Sequence, residues 1–195
     1  MSLQRRSFFS LKCNPPDCAV ISAPPEMSLC GGTPFTLGTR FYLPGREADA
    51  TIIAQEGVFS LSIVNGAVRF FSKGLGTFTL DAAKYPVEEK AWNRVDVVYD
   101  GTEVTIYLYG LPTLSGSASS SKSSFADKGT PWKMGLMEGY LQSVELYSQA
   151  LDGDNVRKLF FGNGNVSKDK IELWADFGEY EPLDRSSHKH SMQLK

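Results

Sequence analysis

Arginines and aromatic rings recur at alternate positions in several stretches of this chain. Arg40 and Tyr42 do so in FTLGTRFYL, Arg69 and Phe71 in AVRFFS, Arg94 and Asp96 in WNRVDVVY, and Tyr107 and Tyr109 in EVTIYLYG. The intervening residues are largely apolar. A period of two then sends the apolar set to one face of a strand and the polar set to the other. Aromatic faces stack on sugar rings, while arginine and aspartate hydrogen-bond hydroxyls or carboxylates. Arg40, Tyr42, Arg69, Arg94, Asp96, Tyr107 and Tyr109 are therefore the expected ligand-binding residues. The structural use of the same types is cross-strand pairing on an outer face.

Catalytic chemistry has less to draw on. Retaining glycoside hydrolysis needs an acid and a nucleophile about 5 Å apart, a separation that alternate strand positions supply. The close acidic groups are Glu88 with Glu89, Asp152 with Asp154, and Glu179 with Glu181, and none alternates along a strand. Serine or cysteine hydrolysis needs a histidine beside the nucleophile. The two histidines, His188 and His190, lie near the end of the chain, in what reads as a solvated tail or an HxH metal half-site. Gly74-Leu75-Gly76 lies between strands and opens no helix, so it does not match a phosphate-cradling loop. No catalytic residue is assigned.

The elements that must hold these residues are strands. Asp100-Gly101 separates WNRVDVVY from EVTIYLYG, and Asn65-Gly66 separates Phe59–Val64 from Ala67–Lys73, both as hairpin turns. Further strands are expected at Ser7–Lys12, Phe35–Leu43, Thr51–Gln55, Thr77–Asp81, Trp132–Leu136, Gly139–Tyr147, Lys170–Phe177 and Ser191–Leu194. A Pro-rich connection joins the first two, and Ser115–Ser124 reads as a surface loop. One short helix is expected near residues 151–161, with Asp152 or Asp154 as its N-cap and a stop at Gly162-Asn163-Gly164. About a dozen short strands and one helix imply an all-β antiparallel sandwich rather than βαβ units.

FTLGTRFYL, WNRVDVVYDGTEVTIYLYG and GYLQSVELYSQAL occur in the order, and with the packing residues, of the laminin-G-like jelly-roll family. The chain resembles that family, which belongs to the concanavalin A-like lectin and glucanase superfamily. The resemblance implies a two-sheet jelly roll. Two departures stand out: Tyr109 precedes Gly110 where the family usually has asparagine, and Gln142 and Glu145 replace its usual acid and arginine. The resemblance also implies calcium as a candidate ligand, with Asp17, Asp49 and Asp100 as loop acids, although none of these stands in an Asp-x-Asn or Asp-x-Asp cluster that would make a cage. An extracellular or cell-surface location is implied by the resemblance alone. Arg5-Arg6 is followed by no apolar stretch of the kind an export signal carries.

Length and charge fit this reading. A chain of 195 residues suits a single domain, with its core in residues 8–177 and residues 178–195 as a tail or last strand. A net charge of −2 lacks the basic footprint of nucleic-acid binders, and no apolar run is long enough to span a bilayer. Cys13, Cys18 and Cys30 are expected as buried thiols, or with Cys13 and Cys18 closing a small loop. The function expected is non-catalytic binding, first of a glycan. Alternatives are a protein-interaction or assembly domain and an atypical glycoside hydrolase or lyase.

Overall fold

Along Phe35–Leu43, the side chains of Phe35, Leu37, Phe41 and Leu43 enter the hydrophobic core, while Thr36, Gly38, Arg40 and Tyr42 take the opposite face. The same two-sidedness repeats from strand to strand and produces a sandwich. The structure is a computed structural model that describes residues 10–16, 18–22, 25, 27, 29–45, 49–119, 130–162, 168–178 and 183–194.

The strands in chain order begin with β1 (Leu11–Cys13), β2 (Ala19–Ile21), β3 (Phe35–Leu43), β4 (Asp49–Gln55) and β5 (Phe59–Val64). Next come β6 (Ala67–Ser72), β7 (Gly76–Thr79), β8 (Ala91–Tyr99), β9 (Glu103–Leu108) and β10 (Leu111–Ser117). The last are β11 (Trp132–Leu136), β12 (Gly139–Tyr147), β13 (Ile171–Asp176), β14 (Leu183–Asp184) and β15 (Met192–Leu194), with helix α1 (Gly153–Phe160) after β12. One sheet runs β10-β9-β8-β3-β12-β13-β14, with β1 also on β12. The other runs β15-β2-β11-β4-β5-β6-β7, and every pairing is antiparallel.

Between the sheets lies one continuous apolar core. Phe35 meets Phe70 across it at 6.3 Å, and Trp132 stands edge-on to Phe59 at 5.0 Å. Such edge contacts are the favoured geometry for aromatic pairs. A second, smaller cluster forms on the outside of the first sheet, where Val156 of α1 closes over Val98, Tyr147, Leu151 and Ile171. The Asp152 side chain caps α1 by accepting from the Asn155 N–H.

The expected jelly-roll class holds, with several differences in detail. The Pro-rich connection contains β2, and residues 115–117 of the expected surface loop belong to β10. Residues 120–124, like residues 7–9 of the expected first strand, lie outside the described residues. The expected stop at Asn163-Gly164 also lies outside them, as do Glu179 and Glu181. The segment after residue 178 is more than a solvated tail, since β15 pairs with β2 and β14 with β13. The β8–β9 turn sits one residue further on than expected: Asp100 bonds to Glu103, and Gly101 and Thr102 are its two central residues. The Asp100 carboxylate accepts from the N–H groups of Thr102 and Glu103 and braces it.

Candidate functional site

The face of the β10-to-β14 sheet that turns away from the core carries three cross-strand rows. In the first, Asp96, Gly38, Glu145 and Trp174 are neighbours across β8, β3, β12 and β13. In the second, Arg94, Arg40, Ser143 and Asp176 follow the same strands. The third reads Trp92, Tyr42, Tyr140 and Lys12 across β8, β3, β12 and β1.

Arg94, Asp96 and Glu145 form a buried ionic floor. Arg94 Nε and Nη2 donate to Asp96 at 2.7–3.1 Å, and Nη1 and Nη2 donate to Glu145 at 3.3 and 2.9 Å. The hydroxyls of Ser143 and Tyr147 donate to Glu145 as well. This corrects the expectation that Arg94 and Asp96 are ligand-facing: they are 6% and 0% exposed, and their charges are spent on each other and on Glu145. Gly38 makes room for them, because a Cβ there would stand 2.6 Å from Asp96 Oδ1 and 2.8 Å from Arg94 Nη2. Burial pushes the Asp96 carboxyl up, and the charge of Glu145 adds to this while Arg94 opposes it. Burial acts on Glu145 in the same sense, but Arg94 and the two hydroxyls outweigh it and hold that carboxyl below its ordinary range.

The other expected ligand residues scatter over four settings. Arg40 and Tyr42 come together on this face, both half-buried. Tyr107 lies on the same sheet but packs against the small cluster beside Gly153 of α1. Tyr109 is drawn inward: its hydroxyl donates to buried Asn93, and its ring meets Phe160 edge-on. Its φ of +54° and that of Gly110, +76°, form the β9–β10 turn. Arg69 is exposed on the outside of the opposite sheet.

Three residues outside the expected ligand set complete the face. Trp92 lies 5.8 Å from Tyr42, and Tyr140 lies 5.7 Å from Tyr42 on its other side, both edge-on. Tyr140 and Trp174 are each 38% exposed, which is high for aromatic side chains. The Arg40 guanidinium reaches the Trp92 ring, 5.9 Å from its centre. Trp92 and Trp174 carry an alternation signal, on the outward positions of β8 and β13. Tyr140 does not, because a bulge between Leu141 and Ser143 shifts the parity of β12.

The remaining candidates are elsewhere. Asp49 opens β4 and Asp100 sits in the β8–β9 turn, while Asp17 lies outside the described residues. Among the described residues, no three His, Cys, Asp or Glu side chains converge in a metal-holding group. His188 pairs with Glu172 at 3.4 Å and stacks on His190. A surface groove of about 480 Å³ opens between the β9–β10 turn and α1, lined by Leu111, Pro112, Asp152, Asp154 and Arg157, and no aromatic ring lines it. Cys13, Cys18 and Cys30 are buried thiols, and burial raises that of Cys13 to about 12. No helix among the described residues is long and apolar enough to cross a membrane.

The family model described as the concanavalin A-like lectin/glucanases superfamily, of laminin-G type, matches residues 19–157. No curated protein matches the sequence. Among solved structures, a candidate carbohydrate-binding protein from Bacteroides ovatus superposes with a TM-score of 0.68 at 13% identity. That match covers 95% of this chain and 60% of the Bacteroides protein, so this chain spans less than two thirds of its length. The heptameric SAP-like pentraxin of Limulus polyphemus gives 0.62 at 14% identity, covering 95% and 92% of the two chains. Domain 4 of an extracellular arabinanase from Geobacillus stearothermophilus, solved with arabinotriose, gives 0.54 at 15% identity, covering 77% and 79%. At these identities the likeness is one of fold.

Proposed function

Since the chain belongs to the concanavalin A-like lectin/glucanases superfamily, we propose that it binds a glycan on the outward face of the β10-to-β14 sheet. The observation that carries this reading is the aromatic row Trp92–Tyr42–Tyr140, with Arg40 beside it and Trp174 beyond. Half-exposed rings offer apolar area to the flat faces of sugars at low entropic cost, and the neighbouring polar tips can meet hydroxyls. The structural likeness to a candidate carbohydrate-binding protein, and to a domain solved with arabinotriose, supports the same reading.

Binding is favoured over hydrolysis by the state of the two buried carboxylates on this face. Asp96 and Glu145 come within 2.7 and 2.9 Å of one guanidinium nitrogen, so they are close to each other. A glycosidase pair must reach the scissile bond. These side chains are 0% and 9% exposed and already hydrogen-bonded to Arg94.

The test is a glycan array followed by calorimetry on the hits. Trp92→Ala and Tyr140→Ala are each expected to weaken binding roughly three- to tenfold, the loss of about 1 kcal/mol of ring contact, with the melting temperature of Tyr140→Ala unchanged. Array silence from the folded, monodisperse protein would overturn the reading. A concentration-independent dimer burying this face would replace it with assembly between copies.

A further inference from the structure

The cations and acids of the outward face are not matched in contact. Among the described residues the carboxylates along it are engaged: Asp96 and Glu145 with Arg94, Asp176 with Arg185, and Glu172 with His188. Two cations are left on the aromatic side, Arg40 and the exposed Lys12 opposite Tyr140. Among the described residues, Arg40 makes no ion pair or hydrogen bond; its close partner is the Trp92 ring.

A guanidinium in that setting is held at a cost. It presents five N–H donors in a planar fork that fits a carboxylate in two parallel bonds. Burial penalises its charged form, the charge of its cross-strand neighbour Arg94 adds to that, and the charge of Glu145 offsets part of it. The two acids of the buried floor are both taken up by Arg94, so they leave the Arg40 fork unsatisfied at contact distance. An anion arriving from solvent would supply the missing acceptors. The adjacent rings of Trp92 and Tyr42 would place a pyranose or furanose ring beside that anion.

We propose that the glycan recognised on this face is acidic, with the carboxylate of a uronic or sialic acid seated on Arg40 and its ring against Trp92, Tyr42 and Tyr140. This rests on the glycan reading above and adds the charge class of the ligand. Arg40 supplies the charge recognition and the rings supply the contact area. Lys12 extends the positive edge toward a second acidic unit.

The experiment uses the full chain and pairs each acidic probe with its neutral counterpart. Oligogalacturonate and alginate fragments are compared with their carboxyl-reduced forms, and sialyllactose with lactose, by calorimetry at low and high salt. Expected is at least tenfold tighter binding of an acidic member, narrowing as salt screens the contact. Arg40→Gln should remove the preference for the acidic member of each pair. Arg40→Lys should keep part of it, because the charge stays while the fork is lost. Equal affinity for acidic and reduced probes would overturn the acidic class and leave the glycan reading standing. A preference that survives in a folded Arg40→Gln would overturn the assignment to Arg40. Silence from every probe, acidic and neutral, would overturn both proposals.

Discussion

Arg94 is the residue on which the outward face depends. Its guanidinium neutralises two buried carboxylates that, among the described residues, have no other cation in contact. Arg94→Met is expected to cost about 3–5 kcal/mol in urea unfolding, since it leaves buried charge uncompensated. Replacing Arg94, Asp96 and Glu145 together with apolar residues of similar volume should restore most of that loss. Gly38→Ala tests the same network from the backbone side. Its new methyl group would overlap Asp96 and Arg94, and a loss of about 1–3 kcal/mol is expected from the displacement. A neutral effect at Gly38 would mean that the floor is looser than its geometry implies. Alternation correctly sends Arg94 and Asp96 away from the core. What the sequence leaves hidden is their partner: Glu145 is 51 positions from Arg94 and two strands away, with Gly38 of β3 between. An outward face can be buried by its own charges, and no local pattern records that.

Among the elements, the C-terminal strands depend on one acid. Asp184 accepts from the N–H groups of Trp174, Ser186 and His190 and from the Ser186 hydroxyl, which fixes β14 and the approach to β15. Burial works against its charge, but these four donors outweigh it and hold the carboxyl below its ordinary value. A depressed carboxyl adds stability above its unfolded value of about 3.9 and loses it as pH falls through the folded value. Hydrogen-exchange protection factors across β14 and β15 should therefore fall on acidification below about pH 4, and Asp184→Asn should remove most of that dependence. Unchanged protection would argue that the strand pairing alone holds the segment. The hairpins and β3, β8 and β12 are legible from period and turn residues because each is a local rule. β2, β10 and β14 are short or polar, and the partners of β2, β11 and β15, lie far along the chain. The β12 bulge cannot be read from alternation, and it is what brings Tyr140 beside Tyr42.

Over the whole molecule, the sandwich uses its aromatic residues in two ways. One group fills the space between the sheets, and another stands on the open side of the β10-to-β14 sheet. Of the face expected from sequence, Arg40 and Tyr42 remain, while Tyr107 and Tyr109 serve α1 and the β9–β10 turn, and Arg69 belongs to the far sheet. Registers across β3, β8, β12 and β13 decide which side chains meet, and those registers are properties of the assembled sheet. The three tryptophans of the chain divide along the same line: Trp132 is 1% exposed in the core, whereas Trp92 and Trp174 stand on the open face. Intrinsic fluorescence therefore has two separable sources. Acrylamide should quench Trp92 and Trp174 in the native protein and reach Trp132 only on unfolding. A bound sugar should shield the first pair and leave the emission of the third unchanged, so a Trp132→Phe protein that still folds would report occupancy of the face without a label.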